Sequence, residues 1–100
     1  MRGAVEGYAM PRYRCHKEVW ALKIAAIEFD ATRAAAEGRE TDGSAMITPV
    51  EAGYAPFKVS AAYVKKHDPK IGGYYVIYRD GYQSWSPGAE FEDGYTRIET

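Results

Sequence analysis

The sequence predicts an α+β fold: a small, curved antiparallel sheet, SH3-like or a partial barrel, with two or three short helices. Three observations carry this expectation. A chain of 100 residues builds a single core. Its apolar runs are short and are separated by 10 glycines and 5 prolines, the punctuation of strands and tight turns. The stretch Gly72-Gly73-Tyr74-Tyr75-Val76-Ile77-Tyr78-Arg79-Asp80-Gly81-Tyr82-Gln83-Ser84-Trp85-Ser86-Pro87 sets a turn dipeptide between two aromatic-rich runs.

Residues 17–29 come first. Trp20, Leu22 and Ile24 alternate with Ala21 and Lys23, and Ile27 and Phe29 resume the alternation after Ala25-Ala26. The β-branched and aromatic content favours a long strand with a bulge at Ala25-Ala26. Trp20, Ile24, Ile27 and Ala31 also fit one face of a helix, the competing reading. Asp30 is placed to cap a short helix over residues 32–37, which Gly38 stops. Residues 38–43 read as a loop. Residues 44–48 form a short strand ended by Pro49, Glu51-Ala52-Gly53 a turn, and residues 56–59 another extended run. Ser60 is an N-cap for residues 61–67, where Lys65, Lys66 and His67 meet the negative end of the helix dipole.

In the hairpin, a type I′ turn at Asp80-Gly81 sets Tyr82 opposite Arg79, Ser84 opposite Ile77 and Ser86 opposite Tyr75. On the other face Gln83 lies opposite Tyr78, and Trp85 opposite Val76. Large rings then occupy both faces. One face lines the core; the other must meet a helix, a partner chain or a ligand. Ser86-Pro87 is a second N-cap signal, for a helix to about residue 93 that Gly94 stops. Residues 95–98 add a last strand.

Charge and cysteine usage bound the function. Thirteen basic against 14 acidic residues leave no global field to attract nucleic acid or an anionic membrane. Cys15 is the single cysteine, so no intrachain disulfide forms, which fits a reducing cytoplasm. No apolar run has the length of a membrane span, and the N-terminus has no signal-peptide core. Met10-Pro11 reads as an alternative start. Residues 1–11 are then a flexible leader and residues 12–100 the single domain.

Candidate chemistry is sparse. On an extended Arg12-Tyr13-Arg14-Cys15-His16-Lys17, the side chains of Arg12, Arg14 and His16 share a face and suit a phosphate or carboxylate. The plainer reading is a charged edge strand that blocks pairing. Cys15, His16 and His67 do not make a zinc set, and Cys15 has no oxyanion device beside it. No phosphate loop or nucleophile elbow is present. Glu90 and Glu92-Asp93 read as solvated acids on a surface helix. The expectation is a protein that is not an enzyme and needs no cofactor.

The aromatics are the remaining signal: nine Tyr, three Phe and two Trp. Tyrosine offers a flat face and a polar tip at low entropy cost, and base stacking on such rings contributes about 1–3 kcal/mol each. With guanidinium groups nearby, these are the parts of a nucleotide site. Filling a small core and a subunit interface is the plainer use of the same rings.

The blocks Tyr13-Arg14-Cys15-His16-Lys17-Glu18-Val19-Trp20-Ala21-Leu22-Lys23-Ile24, Gly53-Tyr54-Ala55-Pro56-Phe57-Lys58-Val59, Gly72-Gly73-Tyr74-Tyr75-Val76, Asp80-Gly81-Tyr82-Gln83-Ser84-Trp85-Ser86-Pro87 and Phe91-Glu92-Asp93-Gly94-Tyr95-Thr96 carry a resemblance. Together they resemble a group of small phage and prophage proteins of unknown activity. The resemblance implies a phage accessory product acting in the bacterial cytoplasm. Small phage proteins often block host defences, some as oligomeric sponges for cyclic-nucleotide signals.

The leading expectation is therefore a non-catalytic, homo-oligomeric protein that sequesters a nucleotide-type ligand. Arg14, His16 and Lys17 are its phosphate-facing candidates, and Tyr82 and Trp85 its stacking candidates. Arg79, cross-strand from Tyr82, favours Tyr82. Tyr82 and Trp85 lie on opposite hairpin faces, so one ligand touches one of them. An inhibitor docking on a host defence protein is the alternative. A single-strand nucleic-acid binder comes third, because near-neutral charge weakens backbone binding.

Overall fold

In the computed structural model, residues 9–13 and 16–98 are described. The organising element is the long strand β1, Trp20–Phe29. Its second half pairs antiparallel with β2, Ala45–Pro49, from Ala26↔Thr48 to Phe29↔Ala45. Its first half pairs with β4, Tyr74–Ile77, from Trp20↔Ile77 to Lys23↔Tyr74. The register shifts between Ile24 and Ala26, where the strand changes partner. A bulge adds local twist, so this one irregularity curls the sheet. The strand reading of this region, with its bulge, is the one realised, over residues 20–29; residues 17–19 are irregular.

Outside this central strand lie β3, Phe57–Val59, against β2, and β5, Gln83–Ser86, against β4. The order is β3-β2-β1-β4-β5, all antiparallel: a half-barrel. Helix α1, Asp30–Glu37, links β1 to β2; α2, Ala61–His67, links β3 to β4; α3, Gly88–Gly94, follows β5. This strand order, with a helix between β3 and β4, is the connectivity of the partly open barrel called the OB-fold.

Ile24, Ala45, Ile47, Val59 and Tyr63 form the buried cluster, flanked by Ile27, Phe57, Val64, Tyr75 and Trp85. The period of two along β2 turns Ala45, Ile47 and Pro49 inward. Helix α2 delivers Tyr63. Ser60 Oγ accepts from the Tyr63 N–H at 3.1 Å, the expected cap, and the Tyr63 hydroxyl donates to the Ser84 carbonyl at 2.7 Å. That last bond ties the helix to β5.

Seven local expectations need correction. The hairpin register is one residue off: Tyr75 faces Trp85, Val76 faces Ser84 and Ile77 faces Gln83. The loop is Arg79, Asp80 and Gly81. Gly81 N–H donates to Tyr78 C=O at 2.9 Å and Tyr78 N–H to Tyr82 C=O at 2.9 Å, with Gly81 at φ 88°. This is a turn followed by a left-handed glycine, not the two-residue I′ turn, which needs positive φ at Asp80 as well. Asp30 does not cap α1, whose N-cap is Phe29; its carboxylate instead takes Arg39, Thr41 Oγ1 and the Asp42 N–H. Ser86 does not cap α3; its hydroxyl donates to the Pro87 carbonyl. Residues 95–98 are irregular rather than a strand. Arg12, Tyr13, His16 and Lys17 lie in irregular chain rather than in the expected strand, and Arg14 between them is outside the described residues. Glu92 is not merely solvated; it binds Lys23 and Tyr74.

The two hairpin faces have different fates. Tyr75 and Trp85 pack on the core. Tyr74, on the other face, stacks on Phe91 of α3 at 4.1 Å, and Phe91 stacks on Tyr95 at 4.4 Å.

Candidate docking surface

The loss of β2 as a partner leaves space beside the first half of β1. Pro49 is opposite Ile24, and beyond it the Val50 N–H donates to the Lys23 carbonyl at 2.8 Å before the chain turns away. A groove of about 840 Å³ opens there, with residues 16–23 along one wall. Val50, Glu51, Tyr54, Tyr95, Arg97 and Ile98 also line it. Four of these side chains are large, apolar and exposed: Trp20 at 63%, Val50 at 56%, Tyr54 at 52% and Ile98 at 59%. Scattered exposed apolar residues are ordinary, but four around one groove make it the candidate interaction surface.

Two ion pairs lie within the groove. Lys23 Nζ donates to Glu92 at 2.9 Å and the Tyr74 hydroxyl donates to the same oxygen at 2.8 Å. These bonds hold the Glu92 carboxyl below its ordinary pKa and raise that of Lys23. Arg97 grips Glu51 with two bonds of 2.9 and 3.0 Å, which lowers the Glu51 pKa.

A second cluster sits at the β4–β5 end. Lys17 Nζ lies 4.0 Å from the centre of the Tyr78 ring, and Tyr78 is 5.6 Å from Tyr82. Lys66 Nζ lies 5.1 Å from the Tyr82 ring, and His67 meets it edge-on at 6.1 Å. Desolvation, aided by Lys66, lowers the His67 pKa. The result is an alternation of cations and rings.

The sequence-based candidates divide between these places. His16, Lys17 and Arg79 line the groove. Tyr82, 41% exposed, joins Lys17 through Tyr78. Trp85 is half-buried against the core, with its indole N–H buried and without a hydrogen-bond partner. Arg14 lies outside the described residues, as does Cys15. The groove residues Trp20, Val50, Tyr54 and Ile98 were not among the candidates. They come from three separated segments, and Trp20 reads as one more core residue of an alternating strand. Among the described residues no helix is long and apolar enough to cross a membrane, and no group of three or more His, Cys, Asp or Glu is gathered for a metal.

No protein-family model matches the chain, and no curated protein matches it. Among solved structures, the chain is similar to the NMR solution structure of the monomeric form of the phage L decoration protein, at 30% identity and a TM-score of 0.55. The match covers 80% of this chain and 52% of the other, so the chain spans about half the length of that protein. This likeness to a phage protein agrees with the resemblance read from the sequence.

Proposed function

We propose that this chain is a non-catalytic phage accessory protein of the decoration type, a module that attaches to the protein shell of a phage particle. The likeness to a phage decoration protein over four-fifths of the chain carries this reading. The exposed apolar groove supports it, because such a rim suits a protein surface better than water. Co-sedimentation with purified heads of the phage that encodes the chain tests it. Saturable, stoichiometric binding is expected. Heads that stay bare sink the proposal, and they leave a host defence protein as the partner to seek by pull-down.

The cation–aromatic cluster of Lys17, Tyr78, Tyr82 and Lys66 favours a second reading, capture of a nucleotide-type ligand. The expected cross-strand pair of Arg79 and Tyr82 is not formed, since Tyr78 stands opposite Tyr82; the reading rests on stacking at Tyr82 with Lys66 beside its ring. Calorimetry against cyclic di- and trinucleotides tests it: no heat from a folded sample removes it. A homo-oligomer is compatible with either reading, and light scattering measures it.

A further inference from the structure

The backbone beside the groove is unfinished sheet. Ile24 turns its N–H and C=O toward β4, donating to the Gly73 carbonyl and accepting from the Gly72 N–H, both at 2.9 Å. Backbone polar groups alternate sides along a strand, so Lys23 and Ala21 point theirs the other way, into the groove. The Lys23 carbonyl is taken by Val50. β2 has ended by then, and among the described residues nothing pairs with the N–H and C=O of Ala21 or Val19 on that side. A row of free donors and acceptors along an apolar groove is the template for an added strand.

Charge marks one end of this template. Lys17 and Arg79 lie beyond the Trp20↔Ile77 pair that closes the β1–β4 ladder, with Glu18 beside them in the groove lining. At the opposite end Lys23 is already neutralised by Glu92.

We infer that the groove accepts an extended segment of the phage coat protein as an extra β-strand along residues 19–23. The segment's apolar side chains lie against Trp20 and Tyr54, and an acidic residue sits near Lys17 and Arg79. This rests on the particle-binding reading and specifies how binding occurs.

Proline variants test it, since Ala21→Pro and Val19→Pro each delete a groove-side N–H without removing a bond to β4. Each is expected to weaken head binding about tenfold in co-sedimentation, the effect of losing one or two backbone bonds. In the wild-type protein, the Ala21 and Lys23 amides are expected to exchange more slowly with deuterium on saturated heads. Unchanged affinity of a folded proline variant, or unchanged exchange at Ala21, overturns strand addition while leaving head binding intact. Absence of wild-type binding overturns the parent reading as well. Should Ala21→Pro fail to fold, Val19→Pro, which lies in irregular chain before β1, and the exchange measurement decide.

Discussion

The indole of Trp85 lies so close against Gly73 that a Cβ at position 73 would overlap the ring. Gly73 does not have a positive φ, so its requirement is steric rather than conformational. Gly73→Ala is therefore an overpacking change beside the core. It is expected to lower stability by about 1–3 kcal/mol in urea unfolding. Trp85→Phe should relieve most of that cost, because the smaller ring leaves room for the methyl and removes an unpaired buried N–H. A double-mutant cycle reads the coupling; additive effects of the two changes would deny the contact.

Helix α2 is held by its first turn and by one buried hydroxyl. Tyr63→Phe keeps the packing on the core but removes the hydroxyl's bond to the Ser84 carbonyl, and is expected to cost about 1 kcal/mol. Ser60→Ala removes the N-cap bond and is expected to cost about 1 kcal/mol. Thermal melts of the two variants check both, and wild-type stability in Tyr63→Phe would mean that the hydroxyl bond contributes nothing.

Acid should loosen the α1–β2 connection. Asp30 accepts from Arg39, Thr41 and the Asp42 N–H, and these bonds, Arg39 first, hold its carboxyl well below the ordinary range. A depressed folded pKa means that the stabilisation is complete above the unfolded value, about pH 4, and is lost as pH falls toward the folded one. Glu37, Asp42, Glu51 and Glu92 are shifted in the same direction by their own partners. Unfolding free energy is thus expected to fall steadily below about pH 4. Asp30→Asn should flatten part of that slope while lowering stability at pH 7. An unchanged acid slope in Asp30→Asn would remove Asp30 from the account.

What the sequence made legible is local. The bulge at Ala25-Ala26, the Ser60 cap and the left-handed Gly38 follow from residues next to one another, and the structure has all three. The Asp80-Gly81 signal located the hairpin but not its register, because the same dipeptide suits a two-residue turn and a three-residue loop. The choice lies with the Tyr75–Trp85 pair, which packs on Phe57 and Tyr63 from other elements. Asp30 reads as a cap in sequence, and its real partners begin nine residues on. The groove was the least legible feature. Its walls join residues 16–23 to Val50, Tyr54 and Ile98, and only the curl of the sheet brings these together. The surplus of rings on the second hairpin face was read correctly as needing a cover. That cover is partly Phe91 of α3, whose contact with Tyr74 no spacing rule announces.

Groove residues should separate binding from folding. Trp20 and Tyr54 are each more than half exposed, so truncating them removes little buried area. Trp20→Ala and Tyr54→Ala are expected to leave Tm near the wild-type value. If the groove is the docking surface, Trp20 is the natural anchor: it is large, rigid and central to the wall that carries the free backbone edge. Its loss is then expected to weaken attachment to phage heads about tenfold or more, the behaviour of a hot-spot tryptophan, and Tyr54→Ala somewhat less. Tyr82→Ala, at the cation–aromatic cluster, serves as the comparison, because Tyr82 does not line the groove. Head binding that survives Trp20→Ala but fails in Tyr82→Ala would move the interface to the hairpin tip, where Tyr82 lies beside Lys66 and Tyr78. Binding that depends on Trp20 and survives Tyr82→Ala would keep it in the groove, whose wall carries Trp20 but not Tyr82.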